Sequence, residues 1–196
     1  INKFSLHATY RNRLIRAYLG ATQEARHPHP FTGFDPEDNI QMHELAKPKE
    51  TNYRIKPIHV VNIALNLVKG GRLAWQQRKA ESFTVSPLHC GSSRLGYRRA
   101  AEYGGQKDED GAQAGISLGT AVAISGAAAS PNMGYQSSPV VTFLMALFNI
   151  RLGWWLGNPG LAGSKTFRLR GPLFAVRPLI EETFGLTNDQ NPYIYL

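Results

Sequence analysis

Apolar residues recur at helical spacing in the N-terminal stretch, residues 4–19, with arginines between them. Ser5 stands where an N-cap is expected, and Gly20 follows the last apolar turn. This pattern predicts an amphipathic surface helix whose arginines are solvated, with a basic helix that faces a membrane as the alternative. The apolar positions on which the prediction rests include Leu6, Tyr10, Leu14 and Tyr18.

Apolar and polar residues alternate in residues 58–68. The odd positions from 61 to 67 are all apolar, whereas Asn62 and Asn66 fall on the other face. A period of two predicts a strand, although a short buried helix is an alternative. Residues 69–72 contain a Gly-Gly turn, and residues 73–85 are long enough to return as an antiparallel partner. Together the two runs predict a β-hairpin.

Two shorter segments also have strand patterns. Residues 167–170 alternate between apolar residues and arginine, as in a strand with one wet face. Residues 193–196 form an aromatic and β-branched run after the turn-favouring Asn191-Pro192. We expect this last segment to be an interior strand, which must pair on both sides to satisfy its backbone groups.

Small residues dominate residues 117–131. Ser117 is a suitable N-cap and Pro131 a suitable stop, so the segment predicts a helix. Glycines inside a helix cost stability. We therefore expect this helix to pack so close to other backbone that larger side chains would clash.

Residues 140–156 are almost continuously apolar and include Trp154 and Trp155. The run is interrupted by Asn149, Arg151 and Gly153 and falls short of the roughly 20 residues that span a bilayer. It predicts a segment that is at least partly helical, buried or interfacial, and that does not cross a membrane. The two tryptophans suit an interfacial position.

Composition indicates one loop-rich globular domain. The 196 residues include 19 glycines and 12 prolines, and only 18% are charged. Residues 21–57 are irregular and rich in turn formers, and residues 86–115 are predicted to form another loop, which we expect to be mobile near 104–114. A single cysteine, Cys90, excludes an intrachain disulfide and favours a reducing compartment.

The formal net charge of +8 permits two partners, nucleic acid or an anionic membrane surface. The basic residues are scattered in small groups, without zinc-finger spacing, an RNA-binding aromatic motif or a basic region followed by heptads. We therefore expect a lipid or membrane surface as a partner, and no nucleic acid.

Residues 115–119 fit the pattern Gly-x-Ser-x-Gly, and an unrelated serine hydrolase that uses Ser117 is one hypothesis. A nucleophile elbow needs a strand directly before the serine, and here a polar, glycine-containing loop precedes it. Ser117 as a helix N-cap explains the same residue, so we predict no His or Asp partner within hydrogen-bond reach.

Other chemistry-bearing residues have simpler interpretations. His27 and His29 lie between prolines in a loop, with no third metal ligand at a recognised spacing. His89 and Cys90 are adjacent, so in an extended segment their side chains point to opposite faces. The acidic cluster at residues 35–38 suits turn capping. We therefore expect no complete active site, no metal and no cofactor.

Several segments resemble the patatin-like phospholipase superfamily. Ala121, Ser125, Ala128 and Pro131 match its Ala- and Ser-rich helix that runs into a proline-containing turn beside the active site. Residues 10–14, 31–36 and 152–159 are similar to segments of large bacterial members related to cytosolic phospholipases. The resemblance extends over most of the chain.

The resemblance implies an α/β fold, part of a patatin-type three-layer sandwich with a central sheet and flanking helices. It implies a lipid acyl hydrolase with a Ser–Asp dyad, an oxyanion hole from a glycine-rich loop, and an Asp-Gly-Gly turn after a strand. None of these catalytic elements has a matching position in this sequence. It also implies a substrate pocket whose wall includes Ser130, Pro131, Asn132 and Met133.

Residues 1–196 are then expected to form one incomplete domain that supplies scaffold and acyl-pocket wall and is inactive alone. The remainder of the parent chain would be its partner, and we expect the strand beside residues 193–196 to lie in that remainder. The parent is expected to be cytoplasmic or peripheral to a membrane. The alternative is a non-catalytic basic module that binds membranes or proteins.

Overall fold

The computed structural model describes residues 2, 5–46, 57–67, 80–105, 115–127, 138–174 and 176–196. These residues form a mixed α/β structure, a six-stranded sheet with helices packed beside it. The helices are α1 (Leu6–Leu14), α2 (Leu118–Ser125), α3 (Pro139–Leu147) and α4 (Val176–Thr183). The strands are β1 (Val61–Asn66), β2 (Ala80–Val85), β3 (His89–Ser92), β4 (Gly96–Arg99), β5 (Trp155–Gly157) and β6 (Tyr193–Tyr195).

The predicted hairpin is confirmed in β1 and β2. The two strands pair antiparallel, with Val61 opposite Val85 and Asn66 opposite Ala80. Alternate β1 side chains are buried in the core, whereas Asn62 is exposed. The Gly-Gly turn that would join the strands lies outside the described residues.

The sheet is antiparallel throughout, in the order β4-β3-β2-β1-β6-β5. The interior position predicted for residues 193–196 is confirmed, because β6 lies between β1 and β5. The expectation that a neighbour of this strand lies outside the chain is wrong. The segment after α3 returns as β5, with Trp155 opposite Tyr195, and supplies that neighbour.

On the outer side of β5, the Asn2 side chain makes the backbone hydrogen bonds that a neighbouring strand would make. Asn2 Nδ2 donates to the Trp155 carbonyl at 2.8 Å, and Asn2 Oδ1 accepts from the Trp155 N–H at 3.1 Å. One side-chain amide therefore satisfies both backbone groups of Trp155, which would otherwise be unpaired in a buried position.

Helix α1 forms where the spacing predicts it and continues as a π-helical turn to Leu19. The face it buries differs from the prediction, because Leu6 and Tyr18 are exposed. His7 is buried instead, and its Nδ1 donates to the Leu152 carbonyl at 2.5 Å. Burial lowers the pKa of His7 to about 4, so a neutral ring donates this bond.

Helix α2 is the predicted small-residue helix, and it packs against both α1 and β1. A Cβ atom built on Gly119 would lie 2.4 Å from Ile15 Cγ1 and 2.6 Å from Asn39 Oδ1. Such distances are far below van der Waals contact, so Gly119 is required for the close approach of α1 and α2. The helix ends at Ser125, and Pro131 lies outside the described residues.

Residues 140–156 are partly helical, as predicted, because α3 covers the first half of the run. Asn149 then adopts a left-handed backbone with φ of 53°, and the chain turns into β5. Trp155 is fully buried in the sheet and is not interfacial, and Trp154 packs on His7 at 4.5 Å between ring centroids. In the described part of the chain, no helix is long and apolar enough to cross a membrane.

The prediction of a strand at residues 167–170 is wrong. The backbone there forms local turns, in which Phe167 N–H donates to the Gly163 carbonyl and Leu169 N–H to the Thr166 carbonyl. Phe167 is buried in the hydrophobic core, and the Arg98 guanidinium lies over its ring, 4.4 Å from the centroid. Local hydrogen bonds and this stacking therefore replace sheet pairing.

Candidate functional site

Ser117 is a helix cap. Its Oγ accepts from the Thr120 N–H at 3.3 Å and shares a 2.8 Å hydrogen bond with Thr120 Oγ1. Gly115 and Ile116, the described residues directly before it, form no strand of the sheet, and Ser117 itself forms only an isolated bridge with Gln41. Among the described residues, no His or Asp forms a hydrogen bond with Ser117. The N-cap prediction is confirmed, and the nucleophile-elbow hypothesis for residues 115–119 is wrong.

The loop that carries His27 and His29 is held by its own polar groups. Asp35 accepts from the N–H groups of Glu37 and His27, which lowers the pKa of its carboxyl. Asp38 is buried and pairs with Arg26 at 2.6 Å. The predicted capping role is therefore confirmed for Asp35, whereas Asp38 forms an ion pair instead. Within the described ranges, no three metal-ligating side chains come together.

Cys90 is buried in β3, and burial raises the pKa of its thiol to about 12. A thiol with so high a pKa stays protonated at neutral pH and is a poor nucleophile. The His89 side chain lies on the opposite, exposed face of the strand. The predicted separation of these two side chains is confirmed.

The substrate-pocket residues inferred from the resemblance, Ser130, Pro131, Asn132 and Met133, lie outside the described residues. So does most of the loop predicted to be mobile, residues 106–114. The structure does describe α2, which precedes the pocket segment, and α3, which follows it.

Helix α3 exposes its apolar side chains and buries a polar one, Thr142, which is only 4% exposed. Helix α4 packs beside α3 and also carries exposed apolar side chains. We call their combined exposed side chains the α3–α4 apolar surface; it comprises Val140, Val141, Phe143, Leu144, Leu147, Phe148, Val176, Ile180 and Phe184. The sequence pattern missed this surface, because a continuous apolar run does not reveal which face is covered.

An ion pair is buried behind this surface. Arg151 Nη1 lies 2.6 Å from Glu182 Oε1, and both side chains are almost completely inaccessible. Burial raises the pKa of the Glu182 carboxyl to about 7, and the Arg151 charge opposes that shift. The pair joins the turn after α3 to α4 and so fixes the two helices relative to each other.

A cavity of about 150 Å³ lies between α1, the start of α2 and β5. Among the described residues, its wall contains two arginines, Arg11 and Arg170, and no carboxylate. The other polar side chains of the wall belong to Asn39, Gln41, Ser117 and Thr120, and Trp154 and Leu156 supply much of its apolar part. Sequence reasoning missed this cavity, because its residues come from six separate segments.

The described residues hold an ordered core, a helix cap in place of a nucleophile, an exposed apolar surface and a basic cavity. No protein-family model, no curated protein and no solved structure matches the chain.

Proposed function

We propose that this chain is a segment of a lipid acyl hydrolase, a phospholipase or esterase, and supplies its scaffold and acyl-pocket wall. The observation that carries the proposal is the α3–α4 apolar surface. Soluble monomeric proteins rarely expose contiguous apolar patches larger than a few hundred Å², and larger ones mark sites for lipids, membranes or other proteins. A lipid ester needs such a surface for its acyl chain.

The positive net charge of the chain favours an anionic lipid as its partner over an uncharged molecule. The chain has a formal net charge of +8, and anionic lipids attract basic residues near a membrane surface. Arg177 stands on α4 itself, and its side chain is 60% exposed. An apolar surface on a chain of net positive charge suits a protein that is cytoplasmic or peripheral to a membrane.

The proposed chemistry lies outside the chain. A patatin-type Ser–Asp dyad would attack the ester through the serine, with the aspartate as base and backbone N–H groups holding the oxyanion. Ser117 is occupied as a cap, and the sequence has no position that matches either dyad residue. We propose that the antiparallel sheet and its helices belong to a patatin-type three-layer sandwich. Its nucleophile segment would lie elsewhere in a longer parent.

The coding sequence on both sides of residues 1–196 tests this proposal. We expect a Gly-x-Ser-x-Gly elbow after a strand on the N-terminal side and an Asp-Gly-Gly turn on the C-terminal side. The longer product should hydrolyse p-nitrophenyl acyl esters, and replacing the elbow serine by alanine should abolish that activity. A parent without either motif, or with full activity after the serine replacement, would rule the hydrolase out.

The second candidate is a basic module that binds membranes or proteins without chemistry. The α3–α4 apolar surface favours it equally, because a docking partner would cover the same side chains. The two candidates differ in the parent. The module predicts vesicle or protein binding with no esterase activity in any longer product, whereas the hydrolase predicts both.

A further inference from the structure

Arg11 is unusual among the described arginines because much of its guanidinium is removed from water without a carboxylate to balance it. Burial lowers its pKa. In the described ranges, no carboxylate lies within ion-pair distance of Arg11, whereas Arg26, Arg94 and Arg151 all have one. Burying an unpaired charge is costly, so such a group is normally paired or bound to a ligand.

The bonds that Arg11 does make leave donors available. Its Nη2 donates to Asn12 Oδ1 at a long 3.4 Å, and its guanidinium lies 5.9 Å from the centroid of the Trp154 ring. Its Nε is buried with no hydrogen-bond partner in the described structure. Arg11 lines the cavity between α1, α2 and β5, which has room for a small group.

The same wall also offers an acceptor. Gln41 Oε1 is buried and has no hydrogen-bond partner among the described residues. A carboxylate could satisfy Arg11 but has no hydrogen to donate to Gln41. A phosphate monoester can satisfy both Arg11 and Gln41, because it carries anionic oxygens and, in its monoanionic form, a hydroxyl.

We propose that this cavity binds a phosphate monoester, with Arg11 pairing with its anionic oxygens and Gln41 accepting from its hydroxyl. Arg170 adds a second positive charge to the wall. The same phosphate chemistry occurs in a soluble metabolite and in the head group of a lipid such as phosphatidic acid. This inference rests on Arg11, Gln41 and the cavity, and it holds whether or not the parent is a hydrolase.

Thermal melting of the chain with inorganic phosphate, followed by circular dichroism, tests the site. A ligand that binds the folded state raises its melting temperature. We expect a rise of about 3 °C or more at saturating phosphate. Sulfate at matched ionic strength has no hydroxyl for Gln41 and should give a smaller rise, and chloride should give none.

Three variants distinguish binding at this site from a general effect of positive charge. R11M should lose the phosphate effect and yet melt no lower than the wild type without anion, because it removes an uncompensated buried charge. R13M removes an equal charge from an exposed position on the same helix and should keep the effect. R11K, which keeps the charge without the planar fork, should weaken phosphate binding about tenfold.

Binding of glycerol 3-phosphate and of phosphatidic acid vesicles then distinguishes a soluble phosphate ligand from a lipid head group. Binding of glycerol 3-phosphate that depends on Arg11 indicates a soluble ligand, and Arg11-dependent binding of the vesicles alone indicates a lipid head group. The inference is overturned if none of these phosphates binds. It is also overturned if R11M and R13M reduce the phosphate effect equally.

Discussion

The stability of this fold is expected to depend strongly on both members of the buried ion pair between Arg151 and Glu182. Both are fully buried and lie 2.6 Å apart. Burial raises the pKa of the Glu182 carboxyl, and the Arg151 charge and the Trp155 side chain oppose that shift. Such a pair is weak evidence for net stabilisation, but removing one member leaves the other charged and buried.

Replacing Arg151 by methionine should therefore destabilise the fold by about 3–5 kcal/mol. Urea unfolding followed by circular dichroism measures this change. R177M is the matched control, because Arg177 pairs with Glu181 on the same helix but is 60% exposed. It should change stability by less than about 1 kcal/mol, and equal losses from the two variants would show that burial of the pair is irrelevant.

Two buried groups should give opposite pH dependences. The pKa of His7 falls from 6.5 to about 4, so the unfolded state binds more protons in that range and His7 makes stability rise with pH. The pKa of Glu182 rises from 4.5 to about 7, so the folded state binds more protons and Glu182 makes stability fall as pH rises.

Between about pH 4.5 and 6.5 the two contributions should largely cancel in the wild type. E182Q removes one of them and should uncover a melting temperature that rises with pH over this range. Melting curves at half-unit pH intervals measure the slope. An E182Q slope equal to that of the wild type would contradict the shift assigned to Glu182.

At the scale of elements, the close approach of α1 and α2 depends on small residues. G119A should destabilise the chain by roughly 1–3 kcal/mol, because its Cβ would overlap Ile15 and Asn39. The double variant G119A/I15V should recover part of that loss by removing one methyl group. A G119A protein as stable as the wild type in urea would indicate that the two helices separate freely.

Local patterns predicted three helices and the strands β1, β2 and β6. The loop predicted for residues 86–115 is wrong in part, because β3 and β4 form there by pairing with each other and with β2. Alternation predicted β1 and β2, and the cap at Ser117 placed the start of α2, because those signals lie within a few residues. Residues 167–170 alternate equally well, but the stacking of Arg98 on Phe167 is a contact between distant segments. Likewise, no periodicity marks the cavity around Arg11, since its wall comes from several elements.

The whole molecule combines an antiparallel sheet with one apolar helical surface left uncovered. The ion pair between Arg151 and Glu182 anchors that surface, and Asn2 covers the outer side of β5 beneath it. Sequence patterning predicted a membrane partner from charge. The structure adds a location, because α3 and α4 pack against each other and both expose apolar side chains.

Vesicle co-sedimentation most directly tests the central claim that the α3–α4 apolar surface meets lipid. The wild-type chain should bind vesicles of mixed phosphatidylcholine and phosphatidylglycerol, and part of that binding should survive about 1 M salt, which screens charges beyond roughly 3 Å. The variant F143S/F148S/F184S should lose the salt-resistant part. F31S, which alters a phenylalanine that is 94% exposed in a distant loop, should retain it. Salt-resistant binding that is unchanged in the triple variant, or absent from the wild type, would contradict the claim.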